Sequence, residues 1–203
     1  MAETRVFCVG RNYADHAREM GASGREDPFF FMKPASALLR GPTLAYPRDT
    51  ADLHHEVELV VALGRGGADL ETKEALELVS GYGVGIDLTK RDRQAELKEK
   101  GHPWERAKAF DHSAPISAIG PVLGHPSEGF IRLSVNGTVR QNGDLSQMIW
   151  KPSEIIAALS RIWTLQPGDL IFTGTPAGVG PLQRGDVVLA EIERVGRLEL
   201  RVL

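Results

Sequence analysis

Two glutamates, Glu56 and Glu58, stand two residues apart in the stretch HHEVELVV, which otherwise has the pattern of a buried strand. Because alternate strand residues share a face, both carboxylates point the same way, with Cα atoms about 6.6–7 Å apart, and can converge on one ion. The opposite face carries Val57, Leu59 and Val61. Burying two like charges side by side is costly unless a cation neutralises them. A half-exposed strand with two solvated glutamates is the alternative interpretation.

A third acidic residue, Asp87, ends the glycine-rich segment GYGVGID, which predicts a strand that delivers this carboxylate at its C-terminal end. Three carboxylates without a cysteine cluster describe a hard-cation site, so the pattern favours Mg²⁺ or Mn²⁺ over structural Zn²⁺. His54 and His55 precede the glutamates, but neighbouring strand residues face opposite ways and cannot both reach one ion. Either histidine is therefore a less favoured ligand, and we expect His55 to be structural.

His16 and Glu19 lie three residues apart in NYADHAREMG, whose apolar positions predict a short helix. Residues at this spacing share a helix face, so Glu19 can orient the imidazole, whose unperturbed pKa of about 6.5 suits a general base. A surface ion pair is the alternative. Isolated helices of under about 12 residues are marginal in water, so we expect this helix and the adjacent GASGRED to order when a ligand binds.

Three further polar side chains can serve the same pocket. Arg91 and Gln94 follow Asp87 at the spacing of one helical turn and are expected to face one way. Arginine can hold a carboxylate through two hydrogen bonds, and a glutamine amide can donate to an oxygen that becomes negative. Lys108 lies in the long connection 98–115 and can add a cationic donor, although most lysines are solvated surface groups.

The elements that must position these residues are mostly short strands punctuated by glycine and proline. Strands are predicted at 5–9, 55–63, 83–88, 130–136, 170–173, 186–193 and 197–202, with hairpin turns at 136–137 and 195–196. One helix is predicted at 70–79, and another begins at a Ser153 cap and carries apolar residues to Trp163. Phe29, Phe30 and Phe31 are expected in the core or in a pocket wall. The whole pattern predicts a strand-rich α+β fold.

Composition limits the class of protein. The chain has 203 residues, of which 42% are hydrophobic, so we expect one domain over 1–203 in which residues 1–50 can form a small N-terminal subregion with a lid around 12–27. Its net charge of −3 comes from interspersed acids and bases, which argues against a nucleic-acid partner. Cys8 is the single cysteine, and no apolar run approaches the roughly 20 residues of a membrane span. A cytoplasmic protein is the expectation.

Seven segments resemble the fumarylacetoacetate hydrolase family, in particular its small single-domain members of the acylpyruvase type. In chain order they are FCVGRNYADHAREM, PFFFMKP, LHHEVELVV, GYGVGIDLTKRDRQ, KGHPWERAKAFD, VNGTVRQNGDLSQMIW and PGDLIFTGTPAGVGP. The resemblance implies the family's mixed β-sandwich roll, a homodimer, and one Mg²⁺ or Mn²⁺ per subunit held by Glu56, Glu58 and Asp87. Larger members supply a further aspartate from another domain, so water or substrate is expected in that position here.

The resemblance also assigns the remaining roles. It implies a catalytic pair of His16 and Glu19, with Arg91, Gln94 and Lys108 as substrate or oxyanion contacts. Thr175, in the TGTP segment, is implied to bind the substrate carboxylate.

The expected activity is hydrolysis of the carbon-carbon bond of 2,4-dioxo acids, giving pyruvate and a carboxylic acid. The substrates would be acylpyruvates or relatives such as fumarylpyruvate from aromatic catabolism. Decarboxylation or keto-enol tautomerisation of oxaloacetate at the same cation site is the nearest alternative. A non-catalytic protein that binds a metal ion and an oxo acid is the alternative from another class.

Overall fold

The computed structural model describes residues 4–14 and 26–203. The strands are β1 Val6–Gly10, β2 Phe29–Lys33, β3 Leu38–Leu39, β4 Thr43–Leu44, β5 Leu53–His55, β6 Val57–Leu63, β7 Val79–Ile86, β8 Thr89–Lys90, β9 Ala114–Pro115, β10 Gly120–Pro121, β11 Phe130–Val135, β12 Thr138–Asp144, β13 Leu170–Phe172, β14 Gly180–Leu182, β15 Val187–Ile192 and β16 Gly196–Val202. The helices are α1 Thr72–Ala75, α2 Arg91–Glu99, α3 Glu105–Lys108 and α4 Pro152–Ser160, with short 3₁₀ helices at Ala35–Ala37, Leu76–Leu78 and Leu145–Gln147.

Two large sheets pack against each other. One is six-stranded in the order β10-β7-β6-β13-β1-β2, and the other is five-stranded in the order β12-β11-β15-β16-β4. Their facing side chains, among them Leu59 and Val61 of β6 and Leu133 of β11, form the main core, to which α4 adds Ile155 and Ile156. The predicted strand-rich α+β fold is confirmed.

The outer face of the six-stranded sheet explains why acidic residues can sit on a buried strand. Val60 and Ala62 of β6 point to this face and pack with Cys8 and Phe172 in a second, smaller apolar cluster. Glu58 shares that face because side chains alternate along a strand. It therefore lies at the end of the apolar cluster, where the strand opens onto the candidate site.

One predicted strand is interrupted. The single strand expected over 55–63 is in fact β5 and β6, separated at Glu56. β5 belongs to a three-stranded sheet of order β14-β5-β8, whereas β6 belongs to the six-stranded sheet. The prediction was wrong here because apolar alternation does not reveal that a chain passes from one sheet to another.

The other local predictions have mixed outcomes. Asn136 and Gly137 adopt φ of 51° and 78° between β11 and β12, as a type I′ hairpin turn requires. The helix assigned to a Ser153 cap instead begins at Pro152 after Lys151, because the missing N–H of proline costs nothing in the first turn. The helix predicted at 70–79 is only the short α1 followed by a 3₁₀ turn. Among the helices of the described part of the chain, none is long and apolar enough to cross a membrane.

Candidate metal centre

Three buried carboxylates converge where β5 ends and β6 and β7 meet. In the antiparallel pair of β6 and β7, Val57 lies opposite Ile86, so Asp87 emerges beside Glu56. The Asp87 backbone N–H donates to the Glu56 carbonyl at 2.8 Å and holds these two residues together. One carboxylate oxygen each from Glu56, Glu58 and Asp87 lie within 4.8 Å of one another. The side chains that the sequence grouped as ligands are therefore close enough to share an ion.

Glu58 is held by the loop that follows β13. The backbone N–H of Gly174 donates to Glu58 Oε2 at 2.7 Å. Gly174 has φ of +96°, and a Cβ built on it would lie 2.6 Å from Asn12 Cβ, so a side chain at this position would be strained and crowded. Burial, and then the charges of Asp87 and Glu56, raise the pKa of Glu58 well above its usual range.

Buried cations surround the other two carboxylates. Lys108 Nζ donates to Asp87 Oδ2 at 2.7 Å, to Glu56 Oε2 at 3.0 Å and to Thr89 Oγ1 at 2.7 Å. Lys33 Nζ lies 2.8 Å from Asp87 Oδ1. Although burial opposes it, the charges of Asp87 and Glu56 raise the pKa of Lys108, which therefore stays an ammonium. All three protons of Lys108 are engaged, so a bond to substrate would require it to exchange one of them.

Arg91 is positioned by the chain's own polar groups. Its guanidinium donates to Glu56 Oε1 at 2.6 Å, to Gln94 Oε1 at 2.6 Å and to His54 Nδ1 at 3.3 Å. Since arginine can only donate, the Gln94 oxygen must face Arg91, and this fixes the Gln94 amide. The Gln94 NH₂ group is thereby turned away from Arg91 and can donate elsewhere. Arg91 itself is committed to these partners rather than to the bidentate carboxylate contact that the sequence suggested.

A buried glutamine connects Thr175 to the histidine next to the acidic pair. Gln141 Nε2 donates to Thr175 Oγ1 at 2.8 Å, and its Oε1 lies 2.9 Å from His55 Nδ1. Burial lowers the pKa of His55, so the imidazole is neutral and donates from Nδ1 to the glutamine oxygen. The expectation that His55 is a structural residue agrees with this contact.

A cavity opens onto these groups. It is lined by every predicted site residue of the described ranges, namely Glu56, Glu58, Asp87, Arg91, Gln94, Lys108 and Thr175, together with side chains of β2 and Trp104. His16 and Glu19 lie outside the described residues. Sequence reasoning missed Lys33 and Gln141, which stand behind the lining. The signal that marks Lys33 and Gln141 is that each is a polar side chain buried among apolar ones. A sequence alone does not show which side chains are buried.

The donor set fits a hard divalent cation. All candidate ligands are carboxylate oxygens, and neither His54 nor His55 joins them. Within the described ranges Glu58 makes no ion pair, and Asp87 Oδ1 accepts no hydrogen bond despite its closeness to Lys33. Glu56, Glu58 and Asp87 would therefore hold such a cation, and its charge would offset that of Glu58.

A strand-rich sandwich that buries three carboxylates at one cavity defines a class of candidate metal-binding proteins. Residues 5–203 match the family model described as fumarylacetoacetate (FAA) hydrolase C-terminal, and the chain belongs to that family. It is similar to the crystal structure of fumarylpyruvate hydrolase from Pseudomonas aeruginosa in complex with Mn²⁺ and pyruvate, with 50% identity and a TM-score of 0.96 over 99% of this chain and 90% of that one.

Two curated relatives carry a different activity. Oxaloacetate tautomerase YcgM of Escherichia coli strain K12 is 47% identical over 90% of this chain and 85% of its own length. The mitochondrial oxaloacetate tautomerase FAHD1 of Mus musculus is 44% identical over 97% of this chain and 90% of its own length. The family therefore includes both a hydrolase and tautomerases at comparable similarity to this chain.

Proposed function

We propose that this protein is a divalent-cation-dependent hydrolase of 2,4-dioxo acids, namely acylpyruvates and fumarylpyruvate-like compounds. The observation that carries the proposal is that one cavity brings three buried carboxylates together with the amide of Gln94 and the hydroxyl of Thr175. The similarity to a fumarylpyruvate hydrolase that binds Mn²⁺ and pyruvate supports it.

Glu56, Glu58 and Asp87 would hold one Mg²⁺ or Mn²⁺ ion. When bound, the cation supplies Lewis-acid polarisation of a 2-oxo carboxylate. Arg91 holds Glu56 in place, and Lys108 holds both Glu56 and Asp87, since each cation donates directly to those carboxylates. Because these cations already balance part of the acidic charge, the centre can remain formed between turnovers.

The polar lining would act on the substrate as follows. Thr175 donates its hydroxyl hydrogen to the substrate carboxylate, and the NH₂ group of Gln94 donates to the oxygen that becomes negative at C4. His16, oriented by Glu19, takes a proton from the attacking water. The water oxygen bonds to C4, and the π pair of the C4 carbonyl moves onto its oxygen, which is the negative oxygen that Gln94 contacts. When that oxygen forms the carbonyl again, the C3–C4 bond breaks, its electron pair goes to the pyruvate enolate, and the enolate gains the proton from His16 at C3. The products are pyruvate and a carboxylic acid.

The direct test is pyruvate release from acetylpyruvate and fumarylpyruvate in the presence of Mg²⁺. We expect release by the wild-type protein and a loss of about 100-fold or more in Glu58→Gln, which keeps the shape but removes the charge. Glu199→Gln, on the exposed side of β16, is the matched control and should keep full activity. Absence of pyruvate from both substrates, or undiminished turnover by Glu58→Gln, would refute the proposal.

Oxaloacetate tautomerisation or decarboxylation is the second candidate, favoured by the two tautomerase relatives. Both reactions also pass through an enolate, so the same carboxylates, Gln94 and Thr175 would serve them. To separate the hydrolase from the tautomerase or decarboxylase, we would compare turnover rates on oxaloacetate and on acylpyruvates in the wild type and in His16→Ala. Retained oxaloacetate turnover with lost acylpyruvate hydrolysis would show that His16 serves only the attack of water.

A binding protein without catalysis would behave differently from either enzyme. Calorimetry would show that it binds oxalate in a Mg²⁺-dependent manner, and it would turn over none of these substrates.

We also expect a homodimer, as the family resemblance implies, and sedimentation velocity would reveal a monomer if that expectation is wrong.

A further inference from the structure

The carboxylate oxygens of the candidate metal centre are mostly engaged by donors of the protein itself. Glu56 Oε1 accepts from Arg91 at 2.6 Å, and Glu56 Oε2 accepts from Lys108 at 3.0 Å. Glu58 Oε2 accepts from the backbone N–H of Gly174 at 2.7 Å. Each glutamate therefore already uses at least one of its oxygens within the chain, which also restricts rotation of its carboxylate plane.

Asp87 has an ammonium group beside each of its two oxygens. Lys108 Nζ donates to Oδ2 at 2.7 Å, and Lys33 Nζ lies 2.8 Å from Oδ1. The two lysines come from different parts of the fold, since Lys108 ends α3 and Lys33 ends the edge strand β2. Charges interact strongly where water is excluded. A cation that used both oxygens of Asp87 would lie close to both ammonium groups and be repelled by them, whereas a cation that uses one oxygen avoids one of them.

The position of Lys33 is fixed by oxygen atoms around the site. Its ammonium donates to the Ser113 carbonyl at 3.1 Å, to Ser113 Oγ at 3.0 Å and to the Leu88 carbonyl at 3.4 Å, and it also donates to the Lys108 carbonyl. These acceptors can use every proton of the ammonium, and Asp87 Oδ1 accepts no hydrogen bond from it. Lys33 therefore acts on Asp87 through its charge, from a side chain that is buried and held on all sides.

Divalent cations differ in how they use carboxylate oxygens. Ca²⁺ takes about six to eight oxygen ligands and often both oxygens of one carboxylate, whereas Mg²⁺ takes about six in a near-octahedral arrangement and keeps several waters. Selectivity between the two depends on the number and the flexibility of the ligands. Three restrained carboxylates that each give one oxygen leave the other positions to water or substrate, which suits Mg²⁺ better than Ca²⁺.

We propose that Lys33 makes the metal centre selective for Mg²⁺ over Ca²⁺, because its charge beside Asp87 Oδ1 limits Asp87 to one oxygen for a cation. Lys33 is then a specificity-determining residue, although it stands behind the cavity lining. Without its charge, Asp87 could offer both oxygens to a larger ion. This inference rests on the proposed function in one respect, namely that a divalent cation binds at Glu56, Glu58 and Asp87.

The test is calorimetric titration of the metal-free protein with Mg²⁺ and, separately, with Ca²⁺. The wild type should bind Mg²⁺ more tightly. Lys33→Met should shift the ratio of the two dissociation constants toward Ca²⁺ by about tenfold, the lower end of what residues behind metal ligands contribute to metal affinity. Lys90→Met is the matched control, because Lys90 is also buried and close to Asp87 in the chain but forms no ion pair with Glu56, Glu58 or Asp87. Removal of its charge should strengthen the binding of both cations by a similar factor and leave the ratio unchanged.

The ratio separates selectivity from general damage, since a merely structural role would change the affinity for both cations alike. Lys33→Gln removes the charge but keeps a donor for the surrounding carbonyls, so it should give the same shift and takes the place of Lys33→Met if that variant does not fold. The inference is overturned if the wild type binds Ca²⁺ as tightly as Mg²⁺, if the Lys33 variants keep the wild-type ratio, or if Lys90→Met shifts the ratio as far.

Failure of this inference and failure of the proposed function give different results. Glu58→Gln should weaken the binding of both cations, and wild-type affinities in this variant would place the cation elsewhere and refute both. Weakened binding in Glu58→Gln with an unshifted ratio in the Lys33 variants would refute the role of Lys33 alone. A shifted ratio without pyruvate release from acetylpyruvate or fumarylpyruvate would refute hydrolysis alone.

Discussion

Gln141 fixes the direction of the Thr175 hydroxyl. Its amide nitrogen donates to Thr175 Oγ1 at 2.8 Å and to the Pro176 carbonyl at 2.9 Å, while its oxygen accepts from the Val57 N–H at 3.0 Å and bonds His55 Nδ1. Because Thr175 Oγ1 is an acceptor in this contact, its own hydrogen remains available to the cavity. The glutamine thus acts as a positioning residue for the group proposed to bind the substrate carboxylate.

Gln141→Glu should therefore weaken oxalate binding in the presence of Mg²⁺. A carboxylate at this position can only accept, so the Thr175 hydrogen would turn toward it and away from the cavity. Loss of one hydrogen bond to a charged ligand is worth about 1.5–3 kcal/mol, or roughly 10- to 150-fold in the dissociation constant. Calorimetric titration measures this change directly.

A double-mutant cycle separates positioning from general damage. Thr175→Val removes the hydroxyl, so adding Gln141→Glu to it should cost little further oxalate affinity. Additive losses in the double variant would contradict the positioning role. A thermal unfolding scan of each variant checks that the buried charge has not unfolded the protein.

The segment around His16 is predicted to order when substrate binds. Its two flanks are both tied to Trp150, since Asn12 Nδ2 donates to the Trp150 carbonyl at 2.9 Å and the Trp150 indole donates to the Glu26 carbonyl at 3.1 Å. Fixed flanks lower the entropic cost of ordering the residues between them, which include His16 and lie outside the described ranges. Hydrogen exchange of peptides covering 12–27 should slow on addition of Mg²⁺ and oxalate, while peptides of β11 stay unchanged. Equal protection in both states would refute the prediction.

The sequence could predict that Glu56, Glu58 and Asp87 lie close together because their arrangement depends mainly on local periodicity, whereas their role as metal ligands stays a prediction. Alternation placed Glu56 and Glu58 on one face, and the end of a glycine-rich strand placed Asp87, without knowledge of the remaining chain. Lys33 and Gln141 could not be found this way, since their contacts depend on the order of strands in the sheets. Lys33 reaches Asp87 from β2, at the far edge of the six-stranded sheet.

The burial of Gln141 could not be predicted from the sequence either, because it depends on the register of two paired strands. The register of β11 and β12 shifts between Leu133 and Ser134, so that Gln141 is buried while Val139, two residues earlier, is 56% exposed. Simple alternation would place both residues on one face. The bulge turns the two side chains to opposite faces of the strand, and the segment VNGTVRQNG contains no residue pattern that predicts a bulge.

Stability at alkaline pH should depend on Tyr82. Burial raises the pKa of Tyr82 to about 12, and its hydroxyl lies 2.6 Å from His125 Nδ1. Because the folded pKa exceeds the unfolded value of about 10, the neutral phenol contributes stability below pH 10 that is lost as pH rises toward 12. Between pH 9 and 11, the wild type should lose more unfolding free energy than Tyr82→Phe in urea titrations. Parallel losses in the two proteins would contradict this assignment.

Lys33 should be essential to the stability of the metal-free protein. It is 1% exposed, and its ammonium lies 2.8 Å from Asp87 and donates to Ser113 Oγ at 3.0 Å. Lys33→Met leaves the buried Asp87 carboxylate with one cation fewer, so the free energy of unfolding should fall by about 3–5 kcal/mol in EDTA. Lys73→Met, which breaks an exposed ion pair with Glu71, is the control and should cost under about 1 kcal/mol.

Because a divalent cation at Glu56, Glu58 and Asp87 would replace the missing charge, saturating Mg²⁺ should recover more stability in Lys33→Met than in the wild type. An equal stabilisation of both proteins by Mg²⁺ would place the ion elsewhere.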